Sequence, residues 1–460
     1  MTMWQPNITR YPGPRYLAIA EAIQADVENG QLSSGARLPT HRDLAGHLGV
    51  TVGTVTRAYA EAMRRGLVHG EVGRGTFVRA AGDSASQFGI HQDQPGLIDL
   101  SINRPVLGVQ VEALSKALLA LSREANLAQL MNYQGEAGLP AHRAAGATWI
   151  GQRGVDVSGD QVVVTNGAQH ALYITLAALT KPGDVVLTES LTYPGIKTIA
   201  NTLDLRLLGV DMDESGPIPE AFAVACRASS ARMLVCIPTI QNPTTSVIPL
   251  DRREELAEIA RQHNLAIIED DIYSFLVPDA PPPIATLAPE RTYYITSLSK
   301  SMAPGLRIGY VAAPSRAVTN IAAVMRTTVW NVAPLLAEIA ATWIRDGTGS
   351  ELADWQRDEA HVRQAIAART LGLWPIQTHP DALHMWLHLP TPWRASDFAA
   401  EARAQGVAVV PTEIFAVGRD LPQAVRICLS AVSSHVRLKD ALEILARILG
   451  GSPDSRLAII

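Results

Sequence analysis

A chain of 460 residues is longer than one hydrophobic core usually serves, so two or more domains are expected. With 47% hydrophobic and 18% charged residues it has ample apolar material for packed cores, which excludes global disorder. The net charge of -5 excludes nucleic-acid binding over the whole surface, yet residues 1–80 carry nine Arg and no Lys against six Asp or Glu, so the N-terminal end alone is basic. Three cysteines, Cys226, Cys236 and Cys428, have the spacing of neither a disulfide framework nor a zinc cluster. The start MTMWQPNITR lacks a signal-peptide core, and no later run approaches the roughly 20 apolar residues of a membrane helix, so a cytoplasmic protein is expected.

The first predicted element is an amphipathic helix over 16–29, with Leu17, Ile19, Ala20, Ile23 and Val27 as its apolar stripe. The stretch LPTHRDLAGHLGVTVGTVTRAYAEAMRRGLV then places a short helix, a turn at Gly49 and a second helix whose Val55, Tyr59 and Met63 are expected to face inward, which is helix-turn-helix spacing. In HGEVGRGTFV two glycines flank Arg74 at a hairpin tip, and Thr76 to Val78 supply a returning strand, the pattern of a wing. Together with PRYLAIAEAI, these features resemble the GntR-type winged helix-turn-helix family over nearly all of residues 11–79. The resemblance implies a second helix in the major groove, with basic and backbone groups on phosphates. Arg42, Thr51, Thr54, Arg57 and Arg74 are then the candidate contacts to a double-stranded DNA operator. Relatives often carry a polar or basic residue near Val52, so readout there is expected to be apolar, toward a thymine methyl for example. A solvated face on a small protein-interaction domain is the alternative reading of the same arginines.

Between Ala80 and Pro95 the sequence AAGDSASQFGIHQDQP loses its apolar periodicity and is expected to form a flexible connector of about sixteen residues. Beyond it, strand-like QVVVT, DVVLTE, RMLVCIP, LAIIED and YYITS alternate with helical AQHALYITLAALT, YPGIKTIANTL and DRREELAEIARQ. This alternation predicts a mostly parallel α/β sheet with helices on both faces and ligands at the carboxyl ends of its strands. From about Asp354 a mixed pattern, including ALHMWLHLP and AVRICLSA, predicts a smaller α+β subdomain. The expected organisation is a DNA-binding head over 1–79, a linker over 80–96, a body over 97–450 and a tail over 451–460. Within the body, the large subdomain is placed at about 130–350 and the small one at about 354–450.

The most distinctive segment is SLSKSMAPGLRIGY, residues 297–310, where Lys300 follows a strand-like run among hydroxyls with an arginine downstream. Lysine occurs at only five positions, 116, 181, 197, 300 and 439, so its presence in this setting is informative. A Schiff-base lysine requires an aldehyde cofactor, and pyridoxal phosphate makes further demands. Its phosphate needs backbone N–H groups at a helix N-terminus, which Gly167, Ala168 and Gln169 are placed to give, with Ser297, Ser299 and Arg307 as added donors. Its ring needs an aromatic face, for which Tyr193 is placed, and its nitrogen a carboxylate, for which Asp270 stands at the end of LAIIED. The neighbouring Asp271 is expected to be an exposed charge. Asn242 and Tyr273 are the candidate donors to the phenolic oxygen. Arg426, on a strand-like run, is expected to seek an anion, either the carboxylate of an amino-acid effector or an internal salt-bridge partner.

This set resembles the class I aminotransferases of fold type I over about residues 97–450. The resemblance implies that Tyr133, in NYQGEAGLPAHR, reaches the cofactor phosphate of a neighbouring subunit. A winged helix-turn-helix followed by such a body resembles the MocR/GabR regulators over nearly the whole chain. That resemblance implies a multidomain fold: a mainly α winged helix-turn-helix, then an α/β pyridoxal-phosphate-dependent transferase body of fold type I with a small α+β subdomain. It also implies a head-to-tail, domain-swapped homodimer and pyridoxal 5'-phosphate held by Lys300 as an internal aldimine. The effector would be pyridoxal phosphate itself or an amine or amino acid. A working aminotransferase with an accessory DNA-binding module is the rival reading, and a body retained only for dimerisation is a third.

Overall fold

The computed structural model describes residues 4, 6–8, 11, 13–28, 31–32, 36–64, 67–71, 75–78, 96–123, 127–418 and 421–451. Arg74 and the connector over 80–95 lie outside the described residues. The chain divides into two units, Met1–Asp93 and Gln94–Ile460.

The first unit contains α1 (Arg15–Glu28), α2 (His41–Leu48), α3 (Val52–Arg64), β1 (Val68–Glu71) and β2 (Gly75–Val78). Thr40 starts α2 by accepting the Asp43 N–H at 3.2 Å, and Gly49 ends it at φ 60°, a conformation that costs glycine little. Thr51 starts α3 in the same manner, accepting from the Thr54 N–H at 3.2 Å. Strands β1 and β2 pair antiparallel, Val68 opposite Val78. Ile19, Ile23, Leu44, Val55, Tyr59, Val68 and Val78 meet in one core. Met63 does not: it is 40% exposed, and Ala58 and Ala62 are buried instead. At 100° per residue, position 62 falls within about 20° of Val55, whereas position 63 is rotated about 80° away.

The second unit opens with β3 (Ile98–Asp99), followed by β4 (Val162–Thr165), β5 (Val185–Glu189) and β6 (Arg206–Val210). A hairpin of β7 (Met212–Asp213) and β8 (Gly216–Pro217) precedes β9 (Met233–Cys236), β10 (Ala266–Asp270), β11 (Thr292–Ser297) and β12 (Gly309–Ala312). The C-terminal part adds β13 (Ile376–Gln377), β14 (His384–His388), β15 (Val407–Ala408), β16 (Val410–Pro411) and β17 (Ala424–Cys428). Seven strands form the main sheet in the order β4-β12-β11-β10-β9-β5-β6. Side chains alternate across it: Val186, Met233, Val235 and Ile268 enter one core, while Leu187, Leu234, Cys236 and Ile267 enter another. Helices therefore cover both faces, each buried Leu or Ile contributing about 1.5–3 kcal/mol.

One strand breaks the parallel pattern. β12 runs antiparallel to both β11 and β4, because the 298–308 connection contains no helix long enough to return the chain to the opposite end of the sheet. In the smaller four-stranded sheet, ordered β13-β14-β17-β16, Arg426 of β17 faces Trp386 on one side and Val410 on the other. The boundary expected near Asp354 falls inside one continuous helix, Thr348–Leu371, which sends Leu352 into one core and Ile366 and Leu371 into another. β3 pairs with β15, Ile98 beside Val407, and so carries residues 101–104 toward Arg426. The three cysteines are free and buried. No helix of the described residues is long and apolar enough to cross a membrane.

Candidate cofactor and effector site

Six strands of the main sheet point one way, so Thr165, Glu189, Cys236, Asp270 and Ser297 end along one edge. Past β4, Gly167 caps the helix Ala168–Leu179 at φ 80°, leaving the first N–H groups of that helix without intrahelical acceptors. A Cβ on Gly167 would stand 3.0 Å from Arg307 Nη2, so the missing side chain lets the guanidinium lie against the helix start. Arg307 is exposed and donates to Asn166 O at 3.3 Å. The Ser297 hydroxyl lies 2.9 Å from Ser299 Oγ and accepts the Ser299 N–H at 3.2 Å. This end can hold a phosphate through amides, hydroxyls and one guanidinium. Tyr193 caps the next helix, Pro194–Thr202, and any side chain on Gly195 would collide with its ring and with Gln169 Oε1.

The other end is buried. Asp270 is 2% exposed, and its Oδ1 has no hydrogen-bond partner. Burial, reinforced by Asp271 and Glu189, pushes its carboxyl up to about 7. Burial, with Arg426 and Arg307 nearby, draws the Lys300 ammonium down to about 8. Lys300 Nζ donates to the main-chain oxygen of Asn103 and lies 5.9 Å from the centre of the Tyr273 ring. The buried Tyr273 hydroxyl accepts from Asn103 Nδ2 at 3.0 Å. Arg426 donates to Asn242 Oδ1 at 2.7 Å and to Ser101 O at 2.6 Å, and its guanidinium lies 4.9 Å from the Phe415 ring.

One sequence expectation changes here, and for a second residue one of two alternatives drops out. Asp271 is buried rather than exposed, accepting the Tyr294 hydroxyl at 2.8 Å, because β10 is covered on both faces and its end carries no solvated turn. Arg426 has no carboxylate partner among the described residues; neutral oxygens hold it, its Nε has no partner, and its charge is left uncompensated. Tyr133 stands apart at 83% exposed, its ring 5.8 Å from that of Trp330.

Sequence reasoning missed Ser101, Asn103 and His384. Asn103 Nδ2 lies 2.9 Å from His384 Nδ1, and the two residues are 281 positions apart in the chain. An Asn in a loop after a two-residue strand carries no local signal, so only the β3–β15 pairing reveals it.

In the first unit, Arg42 and Arg57 are exposed on α2 and α3, and Thr51 just before α3 and Thr54 in its first turn bring their hydroxyls 2.9 Å apart. Val52 is 45% exposed on the same turn, where an apolar base contact is sterically open.

A helix-turn-helix with a hairpin, and an α/β body whose lysine, aspartate and tyrosine at the main sheet's edge meet an arginine of the small sheet, define a DNA-binding head joined to an aminotransferase-like body. Residues 95–445 match the family Aminotransferase class I and II, and residues 15–78 match Bacterial regulatory proteins, gntR family. The chain is 33% identical over 450 residues to the uncharacterized HTH-type transcriptional regulator YdeF of Bacillus subtilis (strain 168), covering 97% of this chain and 96% of that protein. It is 29% identical over 363 residues to the HTH-type pyridoxine biosynthesis transcriptional regulator PdxR of Corynebacterium glutamicum, covering 77% and 78%. LysN, the alpha-aminoadipate aminotransferase of Thermus thermophilus, shares the fold with a TM-score of 0.71 at 24% identity, over 82% of this chain and 98% of that one. The chain belongs to the HTH-type transcriptional regulators in which a gntR-family head is fused to an aminotransferase class I and II body.

Proposed function

We propose that this regulator holds pyridoxal 5'-phosphate at Lys300 and responds to that cofactor, or to an amino compound meeting it there, by changing its affinity for an operator. The observation that carries the reading is the convergence of Lys300, Asp270 and Arg426, charged groups from three separate segments that make no ion pair with one another. The chemistry of the donor set fits the cofactor. Asp270 Oδ1, buried without a partner, would receive a protonated pyridine nitrogen, which would hold that carboxylate ionised despite its burial. Gly167, Ala168, Gln169, Ser297, Ser299 and Arg307 would bind the phosphate, Tyr193 would cover the ring, and Asn242 and Tyr273 would donate to its phenolic oxygen. When bound, the cofactor supplies an aldehyde that an amine can hold and a ring that withdraws electrons. Arg426 would orient an effector by its carboxylate through the planar fork of its guanidinium.

The chain would act as a homodimer, with Tyr133 reaching the phosphate of the neighbouring copy; its exposure supports that reading. Arg42, Thr51, Thr54, Arg57 and Arg74 would contact the operator. A ligand can shift the DNA-binding equilibrium only by its difference in affinity for two states, and that difference must reappear as altered DNA affinity. The test is a DNA titration with and without pyridoxal phosphate and candidate amines at fixed salt. Changed affinity or footprint is expected, and identical curves and footprints sink the reading.

The lowered Lys300 ammonium favours a second reading, since an amine near 8 can take and return a proton during transamination. Steady turnover of an amino acid with 2-oxoglutarate would establish it.

A further inference from the structure

The direction of a buried hydrogen-bond chain can be followed from an end whose role is fixed. The Gln241 carbonyl can only accept, so His384 Nε2, 3.2 Å away, carries the ring hydrogen. Burial, with Arg426 nearby, pushes His384 down to about 3, so the ring is neutral and Nδ1 offers only a lone pair. Asn103 Nδ2 therefore donates to Nδ1 at 2.9 Å and gives its second hydrogen to the Tyr273 oxygen at 3.0 Å. With its lone pair engaged by Asn103, the Tyr273 hydroxyl keeps its own hydrogen for a different acceptor.

We infer that Asn103 is a positioning residue for the amine end of the site: it aims the Tyr273 proton at the ligand. The inference rests on the reading that pyridoxal phosphate binds here. Arg426, Cys428, Asp270 and Tyr193 also act electrostatically on Tyr273, but Asn103 is the hydrogen-bond partner of its hydroxyl among the described residues. The amide is held from the backbone side as well. The Ser101 carbonyl takes Arg426 and β3 is clamped to β15, so the loop stays anchored when Lys300 Nζ leaves the Asn103 carbonyl for the cofactor. One residue thus meets the amine before the cofactor arrives and holds the Tyr273 hydroxyl throughout.

The test uses the full chain loaded with pyridoxal phosphate, its visible band titrated with pH in wild type, Asn103→Asp and Asn103→Ala. Asp has the same shape but accepts when ionised, so it draws the Tyr273 hydrogen to itself, whereas Ala removes the partner. A hydrogen bond to the phenolic oxygen favours its anionic form, so turning the donor away makes the ligand hold its proton more tightly. The midpoint of the band is expected to rise by about half a unit or more in Asn103→Asp and by less in Asn103→Ala. Melting curves taken alongside identify folded variants, and unchanged midpoints in folded protein overturn the inference. Should Asn103→Asp fail to fold, His384→Leu breaks the chain one link further away: a raised midpoint supports the assignment and an unchanged one defeats it. Absence of any band in wild type would defeat the cofactor reading itself, a result distinct from a band that does not move.

Discussion

At the end of the site formed by Gly167, Ala168, Gln169 and Arg307, the groups belong to one strand-to-helix turn and one neighbouring loop, with a guanidinium open to solvent. At the other end Lys300, Tyr273 and Arg426, from three separate segments, are hydrogen-bonded by residues 101–103, with Asp270 and Asn242 buried beside them. The first end offers backbone N–H groups, hydroxyls and a permanently charged guanidinium, none of which titrates near neutral pH. The second works through side chains that set one another's protonation. A substitution at the first end should therefore change how tightly the cofactor is held, and one at the second should change its chemical state.

The largest expected effect is at Lys300. Lys300→Ala should abolish the visible band of the pyridoxal-phosphate-loaded protein, and a band that survives would place the cofactor elsewhere. Next comes Arg426→Gln, which removes a buried cation worth about 2–5 kcal/mol to a carboxylate partner. Amino acids should lose about 30-fold or more in affinity while amines without a carboxylate keep theirs; equal losses for both would deny Arg426 its proposed role.

A third prediction concerns pH. Burial holds the protons of Asp270 and Glu189 up to about 7 in the folded protein, whereas a free aspartate releases its proton near 3.8 and a free glutamate near 4.5. Between those values the folded state binds more protons than the unfolded one, so stability falls as pH rises through the window. The melting temperature of cofactor-free protein should drop by several degrees from about pH 4 to about pH 7, and Asp270→Asn should flatten that slope. A melting temperature that rises across the window contradicts the burial argument. The smallest effect belongs to the phosphate end. Gly167→Ala places a side chain at φ 80° and 3.0 Å from Arg307, costing about 1 kcal/mol. Cofactor affinity should fall a few-fold with the band position unchanged, whereas a moved band would erase the difference between the two ends.

What could be read from the sequence followed the range of the interactions. The turn after QVVVT, the strand endings at Asp270 and Ser297 and the neighbourhood of Lys300 are local patterns, and the structure brings them to one sheet edge. The edge strand β6 escaped because Arg206 and Gly209 interrupt its short apolar run and Arg206 and Leu208 face solvent. The reversal of β12 escaped because periodicity carries no direction. Met63 was misplaced by a one-residue error in helical phase. Asp271 was misjudged because charge was weighed without its Tyr294 partner. The Asn103–Tyr273 and Arg426–Ser101 contacts span 170 and 325 positions, and nothing at either residue announces the other.

The main-chain oxygens of Ser101 and Asn103 accept from the guanidinium that a carboxylate would claim and from the amine that an aldehyde would claim. Filling the site would then be an exchange, in which an incoming molecule displaces a stretch of the chain's own backbone and its affinity is the difference between two attachments. That stretch follows β3 directly, so whatever displaces it works against a loop anchored at its start by the β3–β15 pairing.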